Sequence, residues 1–360
     1  MKKRITFTDV ARKANVSLPT VSRVATGSAI VSPEIEKRVR RAAQSLGIDF
    51  SGRCKSQVVV FLLSNRERLH PFHARVLFGA ELYCAERGFN VLFVSHRYPL
   101  TLGWKDLHLP RVCERRKIAC GFILSGVNSP ALLKRLSHKG ILYSVLGNNV
   151  VGEWRQEDHD VVSVDDVRGG YEMTHYLQSI GHQAIWFVGN CRLPWISNSY
   201  AGYRRAMLEA SLVPRLQDLA LDRTEQVGYL GTKSILARHD PITAIFVGDP
   251  DSAHGACRAL RDSGLRIPDD VSVAGVGDTE PMLYEHSLTT VREFPEQVGS
   301  DLARLVLNRL AEPHGAPQQV MVPIEIVPRE SCARPPLSRE IPQDAKLDPN
   351  RDAIPDASVR

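Results

Sequence analysis

The chain has 360 residues, 43% of them apolar and 24% charged, and a formal net charge of +6. This composition is ordinary for a folded globular protein, and the length suits two or three domains. The longest unbroken apolar run, Val58–Leu63, falls far short of the roughly 20 residues a membrane helix needs, and no apolar stretch follows Met1-Lys2-Lys3-Arg4 as a secretory leader requires. The seven cysteines (54, 84, 113, 120, 191, 257, 332) are odd in number and contain no C-x-x-C pair. That argues against a disulfide framework or a zinc site and for reduced thiols in a cytoplasm. The charge is uneven. Residues 1–57 hold 12 basic and 4 acidic side chains, a net +8, while the other 303 residues hold 34 basic and 36 acidic, a net −2. A small module that binds a polyanion, joined to a near-neutral body, is the expectation.

The first 47 residues predict three short helices. Thr6-Phe7-Thr8-Asp9 has the form of a capping box with Asp in place of Glu, and it opens a helix through Ala14. Asn15 suits the left-handed position that ends it, and Ser17 can cap a second helix running to Ala25. Ser32-Pro33 starts a third, with Ile35, Val39, Ala42, Ala43 and Leu46 at helical spacing and Gly47 as its stop. Residues 48–57 read as a linker. From Val58 onward, short apolar strands alternate with amphipathic helices. Strands are expected at 58–63, 91–94, 122–124, 143–146, 161–164, 185–188, 244–247 and 272–274. Helices are expected at 72–87, 129–138, 167–180, 200–210, 252–263 and 295–311. Such alternation means parallel, doubly wound α/β sheets, and residues 58–332 are too many for one sheet. Two lobes are expected: lobe 1 at about 58–160 plus 292–320, and lobe 2 at about 161–291 plus 321–332. The proline-rich, charged segment 333–360 reads as a disordered tail.

Helix, tight turn, helix, with Val10, Ala11, Val16 and Val21 as packing residues, is a helix-turn-helix. Asp9-Val10-Ala11, Val16-Ser17 and Thr20-Val21-Ser22-Arg23, followed by Gly27, Val31-Ser32 and Leu46-Gly47, resemble the headpiece of LacI/GalR-type transcriptional regulators. The body resembles the same family at His70-Pro71-Phe72, Glu86-Arg87-Gly88, Gly181-His182, Ile267-Pro268-Asp269-Asp270-Val271 and Arg329-Glu330-Ser331. The resemblance implies an all-α helix-turn-helix headpiece followed by a two-lobe, periplasmic-binding-protein-like α/β core. It also implies a homodimeric, cytoplasmic repressor that binds a pseudo-palindromic operator in double-stranded DNA. A small-molecule effector would sit between the lobes.

In the helix-turn-helix, the first residues of the second helix enter the major groove. The resemblance places the base-reading pair at Leu18 and Pro19, which offer bases only apolar contact. Arg23 can form a bidentate contact to guanine. Thr6, Asn15, Ser17, Thr20 and Ser22 are candidates for phosphate contacts, as are Arg53 and Lys55 in the linker. That linker departs from the family, whose hinge helix carries a leucine wedge. Residues 51–55, Ser-Gly-Arg-Cys-Lys, contain no leucine, so contact through the major groove is expected to dominate. The effector site departs too. Ser199 stands where the family has Arg, Asp249-Pro250 where it has Asn-Asp, Gly277 where it has an acid or amide, and Gly147 where Asp is common. Phe72, His73, Ser125, Asn148, Trp195, Ser199, Asp249 and Asp278 are the remaining candidates for effector contact. No metal, cofactor or catalytic residue is expected. No G-x-G-x-x-G opens a helix after the first strand, and P-loop and G-x-S-x-G motifs are missing. The rival to effector control is a DNA-binding regulator whose core serves only dimerisation.

Overall fold

The computed structural model describes residues 6–26, 31–47, 56–66, 68–114, 118–221, 224–277 and 287–336. The N-terminal helices are α1 (Phe7–Ala14), α2 (Leu18–Thr26) and α3 (Pro33–Ser45). Val10, Ala11, Ala14, Val21, Val24, Ala25, Val39, Ala42 and Ala43 bury into one small core, with Phe7, Val16, Ile35 and Leu46 at its rim. The expected apolar stripes therefore converge. Asn15 does take the left-handed conformation, φ 48° and ψ 53°, that turns the chain from α1 to α2.

The body continues as β1 (Val58–Ser64), α4 (Pro71–Ala85), β2 (Asn90–His96), α5 (Arg111–Glu114), β3 (Gly121–Gly126), α6 (Pro130–His138), β4 (Tyr143–Leu146) and β5 (Asp160–Val164). Next come α7 (Asp166–Ser179), β6 (Ile185–Gly189), α8 (Pro194–Glu209), β7 (Arg215–Asp218), α9 (Thr224–Ala237), β8 (Ala244–Val247), α10 (Pro250–Arg261) and β9 (Ser272–Val276). The last elements are β10 (Thr289–Arg292), α11 (Pro295–Ala311), β11 (Gln319–Val322) and β12 (Glu325–Val327).

Two compact units result, residues 1–162 with 295–320 and residues 163–294 with 321–360. Unit 1 holds a six-stranded sheet in the order β11-β5-β4-β3-β1-β2, and unit 2 holds one in the order β12-β10-β9-β8-β6-β7. The β1–β2, β1–β3, β3–β4 and β4–β5 pairs are parallel. In unit 2 only β12, against β10, is antiparallel among the ladders described. The central strands β1, β3, β4, β6 and β8 are almost wholly buried, as strands covered by helices on both faces must be.

Four strands and two helices lacked a sequence signal. β7 is polar, β10, β11 and β12 are only three or four residues long, and α5 is a single turn. α9 contains Gly228 and Gly231, which lower helix propensity. The reason for Gly228 is tertiary: a Cβ there would lie 1.7 Å from the Ser252 carbonyl oxygen of α10, and one on Gly255 would lie 2.0 Å from that of Glu225. The same reciprocal glycine contact joins α7 to α8 (Gly170, Gly202) and α4 to α11 (Gly79, Gly299). α8 also begins six residues earlier than expected, at Pro194.

Two of the family landmarks fasten the C-terminal segment. His182 is buried, and its Nε2 lies 2.9 Å from the Ala333 carbonyl and 3.1 Å from Ser272 Oγ. Burial lowers its pKa to about 4, so the ring is neutral. Ser331 Oγ donates to the Val273 carbonyl and accepts from the Thr289 amide. Ala333 is therefore tied down, while residues 337–360 of the expected tail lie outside the described residues.

Candidate functional site

The helix-turn-helix gathers its candidate contacts on one exposed face. Ser17 Oγ accepts from the Thr20 amide at 3.3 Å, which caps α2 and fixes where its first turn begins. Val21, Val24 and Ala25 turn inward. Ser17, Leu18, Pro19, Ser22 and Arg23 all turn outward, and Thr20 is half-buried. Leu18 leaves 47% of its surface open, unusual for a large apolar side chain in so small a module. Thr6 and Asn15 are exposed as well. The Thr6 hydroxyl donates to Asp9 at 2.8 Å, so its oxygen lone pairs rather than its proton face outward. Arg53 and Lys55 lie outside the described residues.

The effector candidates fall at the carboxyl ends of the parallel strands, where open α/β sheets bind ligands. In unit 1, His73 sits in the first turn of α4 with its Nδ1 2.9 Å from Ser125 Oγ at the end of β3. Its pKa is held well below the ordinary histidine value by burial first, then by the nearby Arg66 and His70 charges, so the ring is neutral. Phe72 meets it edge-on at 5.3 Å. Asn148 is buried in the short turn after β4. Asn128 and Tyr98, which sequence reasoning passed over, belong to the same edge. Asn128 is buried just after β3, and Tyr98 Oη accepts from the Ser129 amide at 3.0 Å. Their signal was positional, since both follow the carboxyl end of a strand.

In unit 2, Trp195 is half-buried in the first turn of α8. Ser199 is almost fully buried beneath α7, because Gly170 lets that helix press on its backbone, and its hydroxyl reaches no open surface. Asp249 caps α10: its Oδ1 accepts from the Ser252 amide at 2.9 Å and its Oδ2 from Ser252 Oγ at 2.5 Å. Asp249 is thus engaged in its cap, and Ser199 Oγ is buried with no hydrogen-bond partner among the described residues. Asp278 lies outside the described residues. Burial raises the thiols of Cys84 and Cys332 to about 11 and of Cys191 and Cys257 to about 12, which keeps these four protonated at neutral pH.

A helix-turn-helix with an open recognition face, carried on a two-sheet α/β body, defines a sequence-specific DNA-binding regulator. Residues 6–48 match the model of bacterial regulatory proteins of the lacI family, and residues 174–332 match that of a periplasmic binding protein-like domain. The chain belongs to the LacI/GalR family of transcriptional regulators. The transcriptional regulator CelR of Thermobifida fusca is 28% identical over 347 residues, covering 92% of this chain and 99% of that protein. The ribose operon repressor of Haemophilus influenzae is 29% identical, covering 91% and 98%. Among solved structures, a CelR–cellobiose complex has a TM-score of 0.66 at 26% identity, covering 91% of this chain and 100% of that one. No described helix is long and apolar enough to cross a membrane.

Proposed function

We propose that this chain is a cytoplasmic transcriptional repressor, not an enzyme, that binds a pseudo-palindromic operator as a homodimer under the control of a small-molecule effector. The observation that carries the reading is the exposed face of α2, where Leu18, Pro19 and Arg23 point outward from a capped helix start. Leu18 and Pro19 read bases by apolar contact, and Arg23 reads one guanine. Asn15, Ser17, Thr20 and Ser22 fix register on the phosphates, with Arg53 and Lys55 adding to them from the linker, whereas Thr6, whose proton goes to Asp9, serves the cap of α1. Dimerisation is supported by unit 1. Phe78 and Leu82, one turn apart on α4, are 55% and 47% exposed, and Phe93 on the edge strand β2 is 41% exposed. A two-fold dimer presents two headpieces to two half-sites. The effector meets the carboxyl edge of the unit 1 sheet, at Phe72, His73, Ser125 and Asn148; Trp195 is the candidate that unit 2 offers. A neutral His73 suits an uncharged hydrogen-bonding group there.

Selection of binding sites from a random duplex pool tests the reading. The expected product is an inverted repeat, and Arg23→Ala is expected to relax one base-pair position in each half-site, a loss of about 1–3 kcal/mol of discrimination. A pool without an enriched repeat rejects the reading. An unchanged repeat with uniformly weaker binding moves Arg23 to the phosphates. A thermal-shift screen of sugars, nucleosides and nucleobases is expected to give a hit that also alters operator affinity. A panel with no hit favours the effector-independent rival.

A further inference from the structure

The charge excess of this chain sits in its first 57 residues, yet unit 1 carries a second cationic feature at one end. Because β3 and β4 are parallel, α6 between them runs antiparallel to both, and its last turn reaches the edge of the sheet where β1 and β4 begin. Ten residues separate Gly47 from the start of β1, so this is the edge the headpiece joins. α3 is held against it: His314, between α11 and β11, places Nε2 3.0 Å from Glu36 Oε2.

The end of α6 brings together Lys134, Arg135 and His138. Trp104, from the loop after β2, lies against them. Its ring is 5.0 Å from that of His138, and the Lys134 and Lys105 ammonium groups stand 5.3 and 5.8 Å from it. Lys105, Lys134 and His138 are exposed, and the Arg135 Nε is buried with no hydrogen-bond partner among the described residues. None of these four side chains has a carboxylate partner there. Cations at a helix C-terminus complement its dipole, which accounts for Arg135 and His138. It does not account for Lys105, which belongs to another segment, nor for the tryptophan that gathers both lysines.

We propose that Trp104, Lys105, Lys134, Arg135 and His138 form a second, sequence-independent DNA contact that takes the phosphate backbone flanking each half-site. The inference rests on the DNA-binding reading above. A polyanion brought to this edge by the headpiece supplies the charge that the cluster lacks, and the aromatic platform holds two ammonium groups in place by cation–π attraction before DNA arrives. The contact carries no base readout. It adds affinity and salt dependence to a headpiece whose linker offers only Arg53 and Lys55.

The test compares the full chain with Lys105→Gln/Lys134→Gln, both exposed positions, on a 40-base-pair duplex of random sequence by fluorescence anisotropy. Salt is varied between 50 and 200 mM. The expected result is roughly three- to tenfold weaker binding at 100 mM and a log–log salt slope shallower by about one to two. Lys105→Arg/Lys134→Arg is expected to keep the parent's affinity, which excludes a folding explanation. A glutamine variant with the parent's affinity and slope overturns the contact while leaving the headpiece reading intact. A parent chain that does not bind the duplex at all overturns both.

Discussion

Gly170→Ala is expected to destabilise unit 2 by about 3 kcal/mol, although alanine is the better helix former by about 1 kcal/mol. The sign follows from the crossing of α7 and α8. A Cβ on Gly170 would lie 1.9 Å from the Ser199 carbonyl oxygen and 2.7 Å from its carbon, and both belong to backbone that cannot rotate away. The helices must separate, and the reciprocal contact of Gly202 against the Val167 carbonyl, also 1.9 Å from the missing Cβ, loosens with it. At about 2–4 °C per kcal/mol for a unit of this size, thermal unfolding should fall by roughly 6–12 °C. A variant as stable as the parent, or more stable, would show that the two helices are free to move apart. The crossing also bears on the candidate site, because it buries Ser199.

Asp160→Ala is expected to cost unit 1 a similar amount, about 3–5 kcal/mol. Asp160 opens β5 and is almost fully buried. Its two oxygens accept from Arg309 Nε and Nη2, each at 2.7 Å, and Oδ1 also accepts from the Gln318 amide at 2.9 Å. Arg309 further donates to the carbonyls of Gly315 and Ala316. One bidentate pair thus fastens the end of α11 and the chain entering β11 to the start of β5, at the edge that holds His314. Removing the carboxylate leaves a mostly buried guanidinium without its counter-charge, and that desolvation dominates the loss. The double replacement Asp160→Val/Arg309→Met should recover part of the stability by urea or thermal unfolding. If the double variant were no better than Asp160→Ala, the lost backbone contacts, not the stranded charge, would set the cost.

How legible was this molecule in its residues? The headpiece was almost fully so. Its helices are short, its caps are local, and its core positions repeat at helical spacing, so Val10, Ala14, Val21 and Val39 could be placed without knowing the fold. The central strands were legible because burial on both faces leaves continuous apolar runs such as Val58–Leu63. The edge strand Arg215–Asp218 was not, since backbone pairing alone defines it. The run Thr289–Arg292 was hidden too, because four residues carry too little pattern to show a strand. α9 was hidden by Gly228, a residue that reads as a helix breaker until the carbonyl of Ser252 appears beside it.

The candidate sites divide along the same line. The sequence by itself determined that this is a DNA-binding regulator of the LacI/GalR family, and it named the candidate contacts from Ser17 to Arg23, most of which the structure leaves exposed. Those signals are local: a cap, a turn and a spacing. Only the tertiary structure decided what surrounds each polar candidate. Asp249 is drawn into capping α10, Ser199 is covered by α7, and His73 is paired with Ser125 across 52 positions of chain. Hydrogen-bond partnership and burial depend on neighbours distant in sequence, so no motif could assign them. The same dependence gathered Trp104, Lys105 and Lys134 at one edge, where the sequence showed only separate residues in a body of net charge −2.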